Sequence, residues 1–281
     1  MRYVTVTAMS IALVTRDRPA SLQRALESVR QQSVQPHEIV VADDSERHAR
    51  EVRELARRYG CRHVQGPMRG LYANRNVAAR ACRGTHVRTM DDDHTLPAGH
   101  LAICVQAVAS DPGTIWVIGE RQPHRSGEFL YLPIELHPRG FGTPADISSP
   151  CAAISDGATI YPRSVYPETY ELPEFAGYSK IYLLFGAFLA SRGITIRVLP
   201  DTFVDHWCDE RHPSLEPHER AIGYLAMLTL TFAYRRSPAG MLACAGQIAS
   251  EIARSPRSSL AALREATTLM RRHPPDRLFS G

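Results

Sequence analysis

The chain has 281 residues, 44% apolar and 22% charged, proportions that suit one large globular domain or one domain with a helical appendage. Its net charge of +4 is almost wholly arginine, Lys180 being the only lysine, and the arginines are dispersed; this excludes a nucleic-acid-binding block and leaves an anionic small ligand or an acidic membrane surface. The longest apolar run, 181–190, falls short of the ~20 residues of a membrane span, and six cysteines at 61, 82, 104, 151, 208 and 244 contain no CxxC pair, so they read as reduced small hydrophobes.

The opening MRYVTVTAMSIALV is strand-like and has no signal-peptide layout, which predicts a cytoplasmic protein. Residues 10–14 form an apolar strand followed by the turn Thr15-Arg16-Asp17-Arg18-Pro19. Leu22, Ala25, Leu26 and Val29 then fall on one face of a helix over 20–32. A second strand, 38–42, stops on Asp43 and Asp44, and a charged helix over 46–59 is closed by Gly60. A third strand spans 61–64, and a small-residue helix over 70–82 carries Asn74, Arg75 and Asn76. The fourth strand, in HVRTMDDDHTLP, ends in Asp91, Asp92 and Asp93 before Pro97 restarts the chain.

Consecutive carboxylates repel one another, and a hard divalent cation relieves that repulsion. Side chains alternate along a strand, which puts Asp91 and Asp93 on one side and Asp92 on the other, an Asp-x-Asp clamp for Mg²⁺ or Mn²⁺. An acidic turn capping the next helix is the simpler reading. Alternating strands and helices, however, build an open parallel sheet, and two strands ending in aspartate then share its carboxyl edge, where such folds bind ligands. No GxGxxG or P-loop glycine pattern occurs, which argues against dehydrogenases and P-loop NTPases.

Beyond Pro97 the pattern gives a helix to 110 and hairpin strands at 114–120 and 128–132. The Pro/Gly-rich segment 133–150 reads as a mobile acceptor or lid loop. Residues 151–161 are strand-like, 173–192 helical with Pro173 at the first position and Gly193 at the stop, and 194–199 and 202–206 two further strands. From 217 onward the chain reads as helical, with a basic helix over 258–272 and a polar tail. These helices could cover the acceptor side, form a homodimer or touch a membrane, and their weak amphipathicity does not choose.

The run IALVTRDRPASLQRALESVRQQSVQPHEIVVADDSE resembles the opening of family-2 glycosyltransferases of the GT-A fold. GLYANRNVAARACRGTHVRTMDDDHTLP resembles that family's Arg-Asn helix and Asp-x-Asp strand end, and VLPDTFVDHW its late strand ending in a metal-binding His. The resemblance implies an α/β GT-A domain, Rossmann-like with a mostly parallel open sheet, over 1–215 (nucleotide half 1–110, acceptor half 111–215), with a helical extension over 216–281. It implies a nucleoside-diphosphate-sugar donor, UDP or dTDP favoured because a carboxylate accepts from a uracil or thymine imide N–H. The acceptor, a small molecule, glycan or lipid-linked sugar, stays open.

Carried over residue by residue, the resemblance assigns Thr15 and Asp43 to the nucleobase, with Arg18, Asp44, Asp91 and Asp92 in the same nucleotide site, and Arg75 to the diphosphate or base. Asp93 and His206, with Asp91, would hold Mn²⁺ or Mg²⁺. HWCDERH lacks a standard zinc spacing. The family's Glu-Asp pair at the start of the late helix is missing between Ser179 and Tyr182; the nearest acids, Glu174 and Glu171, are the candidate bases, Glu174 being kept ionised if it lies in the helix's first turn. The expected reaction is inverting transfer. The missing pair leaves a nucleotide-sugar-binding module without catalysis as an alternative, and a sugar-1-phosphate nucleotidyltransferase as another.

Overall fold

The computed structural model describes residues 8–123, 130–176, 180–207 and 217–280. The apolar stretch MSIALVT forms β1 (Met9–Thr15), buried along its whole length because helices cover both faces of the sheet. It lies between β2 (Glu38–Asp43) and β4 (His86–Asp91), with β3 (Arg62–Gln65) outside β2, all parallel. The crossovers are α1 (Pro19–Arg30), α2 (Ala49–Arg58) and α3 (Leu71–Ala81). Leu22, Ala25, Leu26 and Val29 form the buried face of α1, as their spacing predicts.

In α3, Ala73, Ala78 and Ala79 allow a close approach to the sheet, and the buried polar residues reach backbone groups. Asn74 donates to the Ala42 carbonyl at 3.1 Å, and Asn76 donates to the Leu172 carbonyl at 2.8 Å. Gly84, after this helix, faces the Ala8 carbonyl so closely that a Cβ would lie 2.4 Å from that oxygen.

The second half adds β5 (His94–Thr95), α4 (His100–Ser110), β6 (Ile115–Arg121), β7 (Leu130–Tyr131), β8 (Ile134–Leu136), β9 (Gly142–Pro144), β10 (Thr159–Pro162), α5 (Ile181–Ser191) and β11 (Ile196–His206). The sheet runs β3-β2-β1-β4-β10-β6-β11-β5, with β7 hydrogen-bonded to β6. β10 is antiparallel to both β4 and β6, so β6 and β11 point the same way as the first four strands. This is a mixed, mostly parallel sheet of the GT-A kind.

Three sequence expectations change here. The 133–150 segment contains a hairpin, β8 with β9, in which Gly142 packs against Ile134 and His137 stacks on Phe141 at 4.4 Å. The two late strands are one, β11, whose register shifts between Leu199 and Phe203, since Pro200 cannot donate to a ladder. The helix expected over 173–192 is divided: Glu174–Ala176 is a short 3₁₀ turn, and α5 begins at Ile181.

α6 (Pro217–Thr229) runs into a π-helical turn, Leu230–Arg235, followed by α7 (Pro238–Arg254) and α8 (Pro256–Arg272). One core, on the α1, α2 and α4 side of the sheet, holds Leu13, Val41 and Met90; the other, on the α3 and α5 side, is shared with the C-terminal helices. α5 is apolar on nearly every side, and Gly186 lets it press against the Ala152 carbonyl. The expected polar tail instead returns to this core. Phe279 is fully buried, its ring 4.9 Å from that of Phe185 and 5.0 Å from that of Phe188, so aromatic contacts fasten the chain's end to α5.

Candidate active site

Register fixes the site. Thr15 is paired with Asp43, and Val14 with Asp91, so the ends of β1, β2 and β4 lie on one edge. β6 and β11 run the same way and deliver Glu120 and His206 to that edge. β10 runs the other way, so the turn before it, at 155–158, enters there too.

On the β1 side, Asp17 takes a left-handed backbone (φ 54°), and its Oδ1 accepts from the backbone N–H groups of Glu46, Arg47 and His48 at 2.8–3.1 Å. This ties the first turn to the second and directs Arg18 across the rim. Arg18 Nη2 lies 2.6 Å from Asp92 Oδ1 and Nη1 lies 2.9 Å from Asp93 Oδ2. Thr15 Oγ1 donates to Asp92 Oδ2 at 2.6 Å. The β4 strand stops at Asp91, and Asp92 and Asp93 occupy a turn, so the alternation expected for a continuing strand does not hold. Both carboxylates meet Arg18 instead. Burial pushes Asp92 up to about 7, with the Asp93 charge adding to it and Arg18 opposing.

Asp43 is fully buried, with Oδ1 accepting from Ser45 N at 2.8 Å and Oδ2 3.1 Å from His63 Nε2. Asp44 has one oxygen on Met68 N at 2.9 Å, and burial raises its acid form.

Arg75 is buried between two carboxylates. Its Nη2 reaches both Asp91 oxygens at 2.7 and 2.9 Å, and its Nε lies 3.2 Å from Asp156 Oδ1. Burial opposes the charge of Asp91, but Arg75, and then His94, hold it below the usual carboxylate range. Asp156 is pushed up to about 7 by burial, then by Asp91 and Glu120, against the pull of Arg75. Gly157 permits the 155–158 turn to sit on the motif; a Cβ there would lie 2.5 Å from Asp91 Oδ2 and 2.7 Å from His94 Cε1.

The last part comes from β5, which reverses after the aspartates and pairs with β11, setting His94 opposite His206. One donor atom from each of Asp93, His94 and His206 lies within 4.8 Å of the others. His206 Nδ1 faces Glu120 Oε2 at 3.0 Å, while Glu120 Oε1 accepts from Ser155 Oγ at 2.8 Å. Burial works against a charged His206, yet the Glu120 hydrogen bond and charge lift it to about 9; Glu120 in turn, despite burial, is brought to about 2 by His206 and His94. Two imidazoles and a carboxylate fit a divalent ion, Mn²⁺ among them.

Thr15, Arg18, Asp91, Asp92, Asp93, Arg75 and His206 therefore gather at one rim, with Asp43 and Asp44 beside them. The two glutamates stand apart. Glu174, in the 3₁₀ turn, faces Arg69 at 3.2 Å, just before α3, and does not share the first turn of α5, so the dipole expected to hold it ionised is missing. Glu171 pairs with Arg80 near the other end of α3, and its N–H donates to the Phe279 carbonyl at 2.9 Å. Among the described residues of the late helix's start, Lys180, Ile181 and Tyr182, there is no acid; Ser179 and residues 208–212 of HWCDERH lie outside the described residues.

Sequence reasoning missed Glu120, Asp156 and His94. Glu120 closes a third strand on the same edge, the very signal used for Asp43 and Asp91. His94 directly follows the triple aspartate, and Asp156 shows only as a Ser-Asp-Gly turn.

In an open α/β sheet the carboxyl edge of the strands is the ligand-binding edge, and here it is acidic, as the resemblance to GT-A transferases implies. The sequence profile for glycosyl transferase family 2 matches residues 10–169, more than half of the chain, and the protein belongs to that family of glycosyltransferases. No curated protein matches the sequence significantly. Among solved structures, GalNAc-T7 with UDP, GalNAc and Mn²⁺ is similar at TM-score 0.66 and 14% identity, over 80% of this chain and 48% of that one. S. aureus TarS 1–349 in complex with UDP-GlcNAc is similar at TM-score 0.62 and 16% identity, over 88% and 73%. This chain thus spans about half the length of GalNAc-T7. At such identities the likeness concerns the fold.

Proposed function

We propose that the protein transfers a sugar from a nucleoside-diphosphate donor, UDP or dTDP, to an acceptor hydroxyl with the help of a divalent cation. The observation that carries this reading is the meeting of Thr15, Arg18, Asp92, Asp93 and His206 on one rim, within 2.6–3.7 Å of successive partners. Breaking the sugar–phosphate bond builds negative charge on the departing diphosphate, and a cation held by Asp93 and His206 would supply the opposing charge. Arg18, 41% exposed and already turned over the rim, is the side chain placed to meet the phosphates.

Asp43 has both oxygens engaged, so Asp44, with one oxygen committed, is assigned to the nucleobase imide N–H and Asp43 to holding the turn. For the acceptor proton we favour Asp156, at the rim and raised to about 7, over Glu174; Glu171, tied to Arg80, is the weakest choice. A single displacement with one base inverts the anomeric carbon, which NMR of the product checks.

The deciding experiment is a thermal-shift screen of UDP, dTDP and GDP with and without Mn²⁺, followed by transfer assays with the matching sugar nucleotides. Stabilisation by a pyrimidine diphosphate only with Mn²⁺, and turnover that EDTA abolishes, is the expected result. The missing acid at the start of α5 favours one second reading, a binding module without turnover, for which the same screen would show binding and no product.

A further inference from the structure

We propose that the cation site is a two-histidine, one-carboxylate set, Asp93, His94 and His206, selective for transition metals over Mg²⁺, and that Asp91 of the Asp-x-Asp pattern is not a ligand. The inference rests on the metal-dependent reading above and specifies its ligands.

His94 is 1% exposed, and its Nδ1 faces the Gly157 carbonyl at 3.2 Å. A carbonyl only accepts, so Nδ1 carries the hydrogen and Nε2 presents a lone pair. That Nε2 is buried and, among the described residues, has no hydrogen-bond partner. A buried, unsatisfied imidazole nitrogen is costly to maintain in a fold unless something else uses it. Asp93 Oδ1 is in the same condition, buried and unbonded, while its Oδ2 is engaged by Arg18. His206 Nε2 lies 3.7 Å from that Oδ1, beyond a hydrogen bond. Donors that share one ion at bonds of about 2.1 Å are separated by roughly 3 to 4 Å, so these two stand at ligand spacing rather than bonding spacing. The rings of His94 and His206 are 4.7 Å apart at 74°, so the two imidazoles meet edge-on instead of stacking face to face.

The surroundings orient both imidazoles. Glu120 faces His206 Nδ1, the carboxylate–histidine arrangement that fixes the tautomer of a metal-bound imidazole, and the Gly157 carbonyl does the same for His94. Asp91 turns both oxygens to the buried Arg75, and it is not among the three residues whose donor atoms lie within 4.8 Å of one another. Imidazole nitrogens favour Mn²⁺, Co²⁺ and heavier ions, whereas Mg²⁺ demands oxygen donors and retains its waters.

The test uses the whole chain with MnCl₂ or MgCl₂ as probes, each with and without UDP. Calorimetry should show Mn²⁺ binding tighter than Mg²⁺ on the order of tenfold or more. Electron spin-echo modulation of the Mn²⁺ complex should report two coordinated nitrogens, falling to one in His94→Gln and one in His206→Gln, and staying at two in Asp91→Asn. If a variant does not fold, the nitrogen count of the wild-type protein still decides. A single nitrogen in the wild type, or Mg²⁺ binding as tightly as Mn²⁺, overturns this ligand set while metal dependence stands. No Mn²⁺ binding under any condition overturns both.

Discussion

Replacing Arg75 by Met tests the electrostatic design of the rim directly. The guanidinium is 2% exposed and is the shared counter-charge of Asp91 and Asp156, whose side chains are 22% and 14% exposed. Methionine fills most of the volume but leaves two carboxylates facing each other without a cation. Removing one partner of a buried ion pair costs about 3–5 kcal/mol. For a domain of this size, at ~2–4 °C per kcal/mol, the melting temperature should fall by roughly 6–20 °C at pH 7.5. The sign of the pH response follows from the same charges. In the wild type Asp91 is held below its ordinary value, so its contribution is present above pH 4 and lost as pH falls through the depressed value. Without Arg75 both carboxylates are raised, the folded state gains affinity for protons, and the variant should become more stable from pH 8 toward pH 5. Differential scanning calorimetry across that range measures both effects, and Arg75→Met/Asp91→Asn should recover part of the loss. A variant that melts within 2 °C of wild type, with the same pH profile, would refute the account of Arg75 as a shared buried counter-ion.

Other outcomes follow. His206, lifted to about 9, binds a proton more tightly folded than unfolded, so metal-free protein should lose stability as pH rises from 6.5 to 9; His206→Gln should flatten that decline in a thermal-shift series. Asp93→Ala should abolish metal-dependent transfer while far-UV circular dichroism stays unchanged. Gly157→Ala, which sets a methyl against Asp91 and His94, should lower Mn²⁺ affinity, read by calorimetry, by about tenfold or more. Phe279→Ala, emptying a slot between Phe185 and Phe188, should cost about 3–5 kcal/mol in urea unfolding.

The half of the fold that was legible in the sequence is the half where one strand follows one helix. Apolar runs such as IALV and EIVVA end on acids or turn residues, and parallel pairing leaves those ends no choice of edge. Local pattern fails where distant contacts decide. Pro173 does begin a helical turn, but Leu172 is anchored to Asn76 in α3, and the Phe175 carbonyl faces His218 Nε2 at 2.9 Å, so the turn is held apart from α5. Alternation through the triple aspartate needs a continuing strand; the Trp207 N–H donates to the Asp93 carbonyl at 2.9 Å and draws the chain into β5 instead. His94 and Glu120 were unreadable as partners of His206 because no local spacing links residues 86 to 112 positions apart.

The two residue pairs that join β5 to β11 also bear on the order in which the protein is made. Synthesis supplies Asp93 and His94 more than a hundred residues ahead of His206, and long-range pairing of this kind is slow to form. A nascent chain can therefore bring the ends of β1, β2 and β4 together early, yet sets His206 beside Asp93 and His94 only after the final strand emerges and folds back.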